Sequence, residues 1–435
     1  MSAADIHLFA TPYVPGSAHG RLRRVPQHAG ADDILILAQG DVAGLSGRPA
    51  GLIVVEGAPL SHTLLALLGT GIPTVIVTAQ QAETLQAGAG RAVWLDGATG
   101  LITGDAGTGA AQAPVARLPA AGQPVRTADG EAVYLRASVR SVAAARRARA
   151  AGAAAIGLVR SEFLLPEADA LPDTAFYRAV FAQLCEAAAP LPVTIRLLDV
   201  AADKMPAWLR SIPGAGGVLG LQGVRLFGRE PVQSVLHAQL AALDSLDPHC
   251  DIRVLIPYLV RLEELQYWSA YLRRRLSRPL ALGAMVETPA GALDLVNWFD
   301  SADFVALGCN DLMQCLFAAD RDRAELRHYL DPYAPLLFRF FRQVAEAAAE
   351  QLERVQLCGL LSQLPGVLPV LLGLGYRAFS VDVSLIPYLA RSVESSSLGG
   401  AQALAHQVCA ARESRQVRAL LGVPEQGEWP FLCPT

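Results

Sequence analysis

Two short stretches hold the residues best suited to chemistry. Glu287 in AMVETPAG and Asp311 in LGCNDLMQ each follow an apolar run, and one strand–helix unit separates them. Two carboxylates at neighbouring strand ends can share one hard divalent ion and leave coordination sites for water and substrate oxygens. That arrangement suits Mg2+, with Mn2+ as the alternative. Carboxylates that merely cap helices or neutralise arginines are the competing reading, and the spacing favours the metal. Arg160, Arg196, Arg253 and Arg321 fall in or just beyond similar apolar runs. Guanidinium groups around a carboxylate-bound metal suit a ligand carrying both phosphate and carboxylate, which their planar forks meet bidentately. Any one of them alone reads equally well as a solvated ion pair.

Two more residues stand out singly. In EGAPLSHTLLALLGTGIP a Gly-containing loop runs into an apolar helical stretch, with Ser61–His62 at its start. A helix N-terminus stabilises an anion, so a histidine there can carry a phosphoryl group; a structural histidine fits the local sequence as well. Lys204, in LLDVAADKMPAW, is the only lysine of the 435 residues. A chain that uses arginine at every other strongly basic position singles out 204 as a place for a compact ammonium rather than a planar fork. Chance survival of one lysine is the alternative.

These side chains need a frame, and the hydrophobic pattern supplies one. Eight apolar β-type runs occupy 133–139, 155–159, 193–198, 253–258, 281–286, 304–308, 355–359 and 378–383, separated by helix-length segments such as SVAAARRARAAGA. Continuous rather than alternating apolar strands mean burial on both faces, hence a parallel sheet. Eight strand–helix units predict a (β/α)8 TIM-type barrel, whose chemistry sits at the C-terminal strand ends. Those ends carry Arg160 and Glu162, then Asp199, Asp203 and Lys204, then Glu287, then Asn310 and Asp311, then Cys358, then Asp382. Ahead of the barrel, 1–105 alternates short β-like runs with Gly-rich turns and one helical stretch, a compact α/β domain. Residues 106–128 are rich in Ala, Gly and Pro without a hydrophobic period, a linker. The barrel is expected over 129–425 and a tail over 426–435.

Bulk properties exclude several classes. The chain is 52% hydrophobic with no uninterrupted apolar run long enough to span a bilayer. Its N-terminus, MSAADIHLF, shows no signal-peptide pattern. Net charge is −4 with signs interspersed, which argues against a nucleic-acid binder. The seven cysteines are scattered, odd in number and without CxxC, which predicts a reducing cytoplasm.

Taken together, SHTLLALLGTGIPTVIV, GAAAIGLVRSEFLL, VTIRLLDVAADK, VLGLQGVRL, RVLIPYLVRLEEL, GAMVETPAGAL, DFVALGCNDLMQCLFAADR and LCGLLSQLPGVLPVLLGLGYRAFSVDVSLIP resemble the PEP-utilising enzymes: enzyme I of the PEP:sugar phosphotransferase system, pyruvate phosphate dikinase and PEP synthase. The segments run in family order over nearly the whole chain, and IR-x-x-D-x-x-x-DK points to the enzyme I branch. The resemblance implies a swivelling phosphohistidine domain followed by a PEP/pyruvate-binding barrel. It implies Mg2+ on Glu287 and Asp311, and a ligand held by Arg160, Arg196, Arg253, Asn310, Arg321 and, at the DK position, Lys204. It implies His62 as phosphoryl carrier, Cys358 as proton donor to the enolate, a homodimer through the barrel and a phosphoryl acceptor that the sequence leaves unidentified. Several positions depart from the family. Gln222 stands where a second phosphate arginine is usual, Leu360 replaces the Glu after Cys-Gly, and the loop before His62 lacks its usual Thr. No segment matches the helical domain that docks the phosphocarrier, nor an ATP-grasp domain. A non-catalytic PEP- or pyruvate-binding regulator and a Mg2+-dependent pyruvate aldolase or lyase are the other readings.

Overall fold

The computed structural model describes residues 6–24, 29–57, 61–68, 70–104, 118, 120–166, 170–199, 206, 208–209, 212, 219–326 and 328–423, with only the backbone of His62, Leu65, Ala66 and Ala324. Lys204, Asp203, most of the loop before His62, much of 106–128 and the 426–435 tail therefore lie outside the described residues. Two compact units form: Met1–Arg117 with Ala319–Asp331 and Gly422–Thr435, and Leu118–Ala318 with Pro332–Leu421.

The first unit is built on one mixed sheet. Its strands are β1 (His7–Phe9), β2 (Thr11–Val14), β3 (Ser17–Arg24), β4 (Asp33–Ala38), β5 (Gly51–Val55), β6 (Thr74–Val77), β7 (Ala92–Asp96) and β8 (Leu101–Thr103). They lie in the order β1-β8-β7-β3-β4-β5-β6-β2, with β3 to β6 parallel. Every residue of β6, which pairs in parallel with β5 and antiparallel with the edge strand β2, is buried. α1 (His62–Leu68) follows β5, and α2 (Ala79–Ala87) follows β6. α2 escapes a reading by hydrophobic period because only Ala82 and Leu85 are buried; Thr78 starts it, accepting from the Gln81 N–H in a capping box.

The second unit is a closed barrel. β10 (Ala132–Val139), β11 (Ile156–Arg160), β12 (Val193–Arg196), β13 (Ile252–Leu259), β14 (Ala281–Val286), β15 (Phe304–Gly308), β16 (Val355–Cys358) and β17 (Ala378–Asp382) pair in parallel in sequence order. β10 pairs with both β17 and β11, which closes the ring. A short β9 (Val125–Arg126) adds antiparallel to β10. All eight expected barrel strands are present, with boundaries close to those expected. The helices between and after them are α3 (Val142–Ala150), α4 (Thr174–Ala188), α5 (Val232–Asp244), α6 (Leu262–Arg275), α7 (Pro289–Leu293), α8 (Cys309–Phe317), α9 (Pro335–Ala348), α10 (Val367–Gly373), α11 (Ile386–Glu394), α12 (Leu398–Ala410) and α13 (Ser414–Leu420). α9 shows why such helices lie on the barrel: Leu337, Phe338, Phe341, Val344, Ala345 and Ala348 recur at helical spacing and all are buried.

Inside the ring, shape and polarity are both specified. Arg136 of β10 donates to Gln356 Oε1 at 2.9 Å, and Gln356 Nε2 donates to the Gly157 carbonyl at 2.9 Å. This polar tie joins β10, β16 and β11, and Gly157 makes room for it, since a Cβ there would lie 2.7 Å from Arg136 Cβ. Gly283 of β14 sits opposite Phe304 of β15, whose ring occupies the space a Cβ would take. Gly283→Ala should overpack that layer and cost about 1–3 kcal/mol. Chemical denaturation would show it as a lower midpoint with an unchanged slope; an unchanged midpoint would mean the ring moves freely.

Candidate functional site

β11 ends at Arg160, β12 at Arg196, β14 one residue before Glu287, β15 at Gly308 just before Asn310 and Asp311, and β16 at Cys358. Parallel pairing therefore gathers these residues at one rim of the barrel, its C-terminal mouth. At the centre is Arg196, only 4% exposed. Its Nη2 lies 2.6 Å from Glu162 Oε1; its Nη1 lies 2.8 Å from Asp199 Oδ2 and 3.9 Å from Glu287 Oε1. Nη1 also meets Met285 Sδ at 3.5 Å, and Arg160 Nε approaches Glu162 Oε1 at 3.4 Å. Burial works against the Arg196 charge, but Glu162, Asp199, Glu287 and Asp311 outweigh it and raise the pKa. Burial raises the Asp199 pKa against the pull of Arg196, with Glu162 and Asp311 adding to the rise.

Four carboxylates and two guanidinium groups thus gather in a largely buried site. Glu287 is 2% exposed and lies so close across Gly308 that a Cβ there would be 2.6 Å from Glu287 Cγ. The donor set fits a hard divalent ion: oxygen ligands from adjacent strands and an excess of local negative charge. Among the described residues no group of three or more His, Cys, Asp or Glu side chains converges into a cage. Glu287 and Asp311 would hold such an ion only in part, leaving the rest to water and ligand, as Mg2+ favours.

Asn310, 8% exposed, is fixed by its neighbours. Its Oδ1 accepts from the Leu360 N–H at 2.9 Å, and Gly359, at φ +112°, lets the chain pass so close that a Cβ would lie 2.8 Å from Oδ1. The oxygen is used within the protein, so the NH2 is the group the carboxamide can turn to an anion. Cys358, 3% exposed, pairs across to Gly308 on one side and Ser380 on the other. Burial pushes its thiol up to about 12, with Ser380 and Arg136 pulling the other way. The thiol keeps its proton at neutral pH.

The remaining candidates divide. Arg253 is the second residue of β13, at the end of the barrel opposite the mouth, with Asp251 4.0 Å away. The structure does not bring it to the other mouth residues, because this arginine, expected in or just beyond a strand end, stands at the start of its strand. Arg321 is buried within Ala319–Asp331, which groups with the first unit. His62 opens α1 in that unit, and Ser61 starts the helix by accepting from the Leu64 N–H at 3.4 Å. Asp382 is spent locally, accepting from the N–H and the hydroxyl of Ser384. Two mouth residues escaped the sequence reading. Arg140, just after β10, lies over Phe163 at 5.0 Å, on the same ring as Arg160 at 5.4 Å. Tyr258, near the end of β13, reads as core from its apolar neighbours but has a left-handed backbone, φ +51°.

Arg196→Met would leave Glu162, Asp199 and Glu287 buried without their shared cation, a loss of about 3–5 kcal/mol at neutral pH. Without that cation the Asp199 carboxyl, already raised by burial, would rise further above its unfolded value. Such groups favour the fold below the unfolded pKa, and that stability is lost as pH rises through the folded pKa. The variant should therefore regain stability relative to the parent as pH falls from neutral towards 5. Melting temperatures of both proteins across that range would show it; parallel profiles would contradict it.

Comparison with known proteins agrees with this geometry. Residues 117–397 match the family model "PEP-utilising enzyme, PEP-binding domain", and 32–100 match "PEP-utilising enzyme, mobile domain". The chain is 30% identical over 388 residues to a phosphoenolpyruvate-protein phosphotransferase of Streptomyces coelicolor, covering 87% of this chain and 69% of that protein. It is 29% identical over 393 residues to a multiphosphoryl transfer protein of Xanthomonas campestris, covering 85% and 46%, and 26% identical over 407 residues to multiphosphoryl transfer protein 1 of Escherichia coli K12, covering 88% and 48%. The chain spans about half the length of these multiphosphoryl transfer proteins. With both models matched in order and the barrel model covering well over half of its length, the chain belongs to the PEP-utilising enzymes.

Proposed function

We propose that this chain is a PEP-dependent phosphotransferase that moves the phosphoryl group of PEP to His62 and onward to an acceptor, releasing pyruvate. The observation that carries the reading is the placement of Glu287, Asn310 and Cys358 at the ends of three consecutive barrel strands beside Arg196. Arg160, Arg196 and the Asn310 NH2 would hold the phosphate and carboxylate of PEP, with Arg321 and Lys204 as further cations. Mg2+ on Glu287 and Asp311 would supply charge neutralisation at the phosphoryl oxygens. A ring nitrogen of His62 would attack phosphorus as the bond to the enol oxygen breaks. The departing enolate would take its carbon-bound proton from the Cys358 thiol, which solvent then reprotonates. Catalysis of such a loose transition state is mostly positioning and charge, and a thiol that keeps its proton at neutral pH fits the acid's part.

The same reading covers the domain organisation, with 1–105 as the swivelling domain that carries His62, 106–128 as its linker and 129–425 as the barrel, and a homodimer through the barrel. It places the protein in the cytoplasm, in keeping with six free cysteines among the described residues. Among the described residues no helix is long and apolar enough to cross a membrane.

Incubation with labelled PEP and Mg2+ tests the reading. The label should appear on His62 with the acid lability of a phosphohistidine, vanish in His62→Ala, and leave PEP binding by that variant intact. PEP that binds without labelling the chain would favour a regulatory protein; label on another residue would rule out His62 as carrier.

A further inference from the structure

A buried hydroxyl, that of Ser380, stands beside Cys358 inside the barrel. Strand register fixes the row: Arg136 of β10, Ser380 of β17 and Cys358 of β16 are Cα partners in turn. All three side chains face the inside of the ring. Arg136 and Gln356 meet at 2.9 Å although β17 lies between their strands, so both point inward. Cys358 follows Gln356 by two residues and shares its face, in one buried cluster with Leu255, Met285 and Phe304. Register partners share a face as well, which turns Ser380 inward. Its Oγ accordingly lies 2.9 Å from the place that a Cβ on Gly157 would take. Ser380 is 1% exposed, and its Oγ has no hydrogen-bond partner among the described residues of the resting protein.

A buried hydroxyl without a partner is costly, and the row shows what this one can serve. Arg136 carries no acceptor. Gln356 is used at both ends, its Oε1 by Arg136 and its Nε2 on the Gly157 carbonyl. The Cys358 sulfur is the side-chain acceptor that the row has left. We propose that Ser380 is a positioning residue for the proton transfer: its hydroxyl turns to the Cys358 sulfur and donates to it as the thiol proton passes to the enolate. The inference rests on the reading of Cys358 as the acid. In that step the S–H bond breaks, the proton joins the methylene carbon to complete the methyl group of pyruvate, and the electron pair stays on sulfur. A thiolate accepts hydrogen bonds and donates none, so the Ser380 contact strengthens as the proton leaves, where it counts towards the rate. Arg136, whose guanidinium bonds to a neutral amide, adds its charge from the same row. Burial raises the thiol's pKa, and the Ser380 hydroxyl and the Arg136 charge pull it down, the direction this role requires.

Isotope exchange between labelled pyruvate and PEP, catalysed by the full chain with Mg2+, tests this, because each exchange moves the proton both ways and needs no acceptor. Ser380→Ala should slow exchange about 10- to 100-fold, the loss of one hydrogen bond to a charged group, with unchanged PEP affinity and melting temperature. Its solvent deuterium isotope effect should exceed the parent's, since the slowed step is the one that moves the proton. A general packing defect would leave that effect as it was. Under reducing conditions Ser380→Cys, which fills the same space with a weaker donor, should fall between the two, and it carries the test if the alanine variant is unstable. Exchange at the parent's rate in either variant overturns the inference, as does slower exchange with an unchanged isotope effect. Undiminished exchange in Cys358→Ala, or none in the parent, overturns the reading of the mouth instead.

Discussion

One buried guanidinium organises the mouth. Desolvating an arginine is costly, and the cost is recovered only where carboxylates surround it at hydrogen-bonding distance. Arg196 meets that condition through Glu162 at 2.6 Å and Asp199 at 2.8 Å, with Glu287 at 3.9 Å. Because these acids come from the ends of β11, β12 and β14, the ion cluster fixes where three strands stop relative to one another. The contact to Glu287 is the longest of the three. That carboxylate stays beyond hydrogen-bonding distance of Arg196, and Asp311 adds a further negative charge near the guanidinium. A divalent cation carrying an anionic ligand, as proposed above, would add positive charge there.

The groups that would act on a ligand are positioned by backbone. Gly308 and Gly359 let Glu287 and Asn310 pack closer than any Cβ would allow. The N–H of Leu360 then sets the Asn310 carboxamide. Leu360, the residue that departs from the family's usual acid, contributes here through its main chain, so that departure leaves the Asn310 contact intact. Cys358 stands between Gly308 and Ser380, next in strand order to the residues expected to hold the metal.

Much of this was legible from sequence because a parallel barrel writes itself as continuous apolar runs. Ile195, Val254, Leu282, Val305 and Phe379 are buried with no exposed alternation around them, and the strand ends followed directly. Arg196, Glu287, Asn310 and Cys358 were found from their places at those ends. Arg253 misled because an arginine flanking a strand looks the same at either end until the run's direction is applied to it. Tyr258 was missed for another reason: its signal is a backbone conformation imposed by Gly223, distant in sequence, and no local pattern carries it. α2 and β3 were missed because each buries only one large apolar side chain, Leu85 beside Ala82 in α2 and Leu22 beside Ala18 and Gly20 in β3.

Central to the account is a divalent-ion site at the mouth made by Glu287 and Asp311 and completed by the ligand. Electron paramagnetic resonance of Mn2+ titrated into the full chain, with and without PEP, tests it most directly. The account predicts a bound Mn2+ whose affinity rises when PEP is added, with PEP affinity rising by the same factor when Mn2+ is added. Both effects should be lost in Glu287→Gln/Asp311→Asn. Mn2+ binding that ignores PEP, or that survives in the double variant, would contradict it.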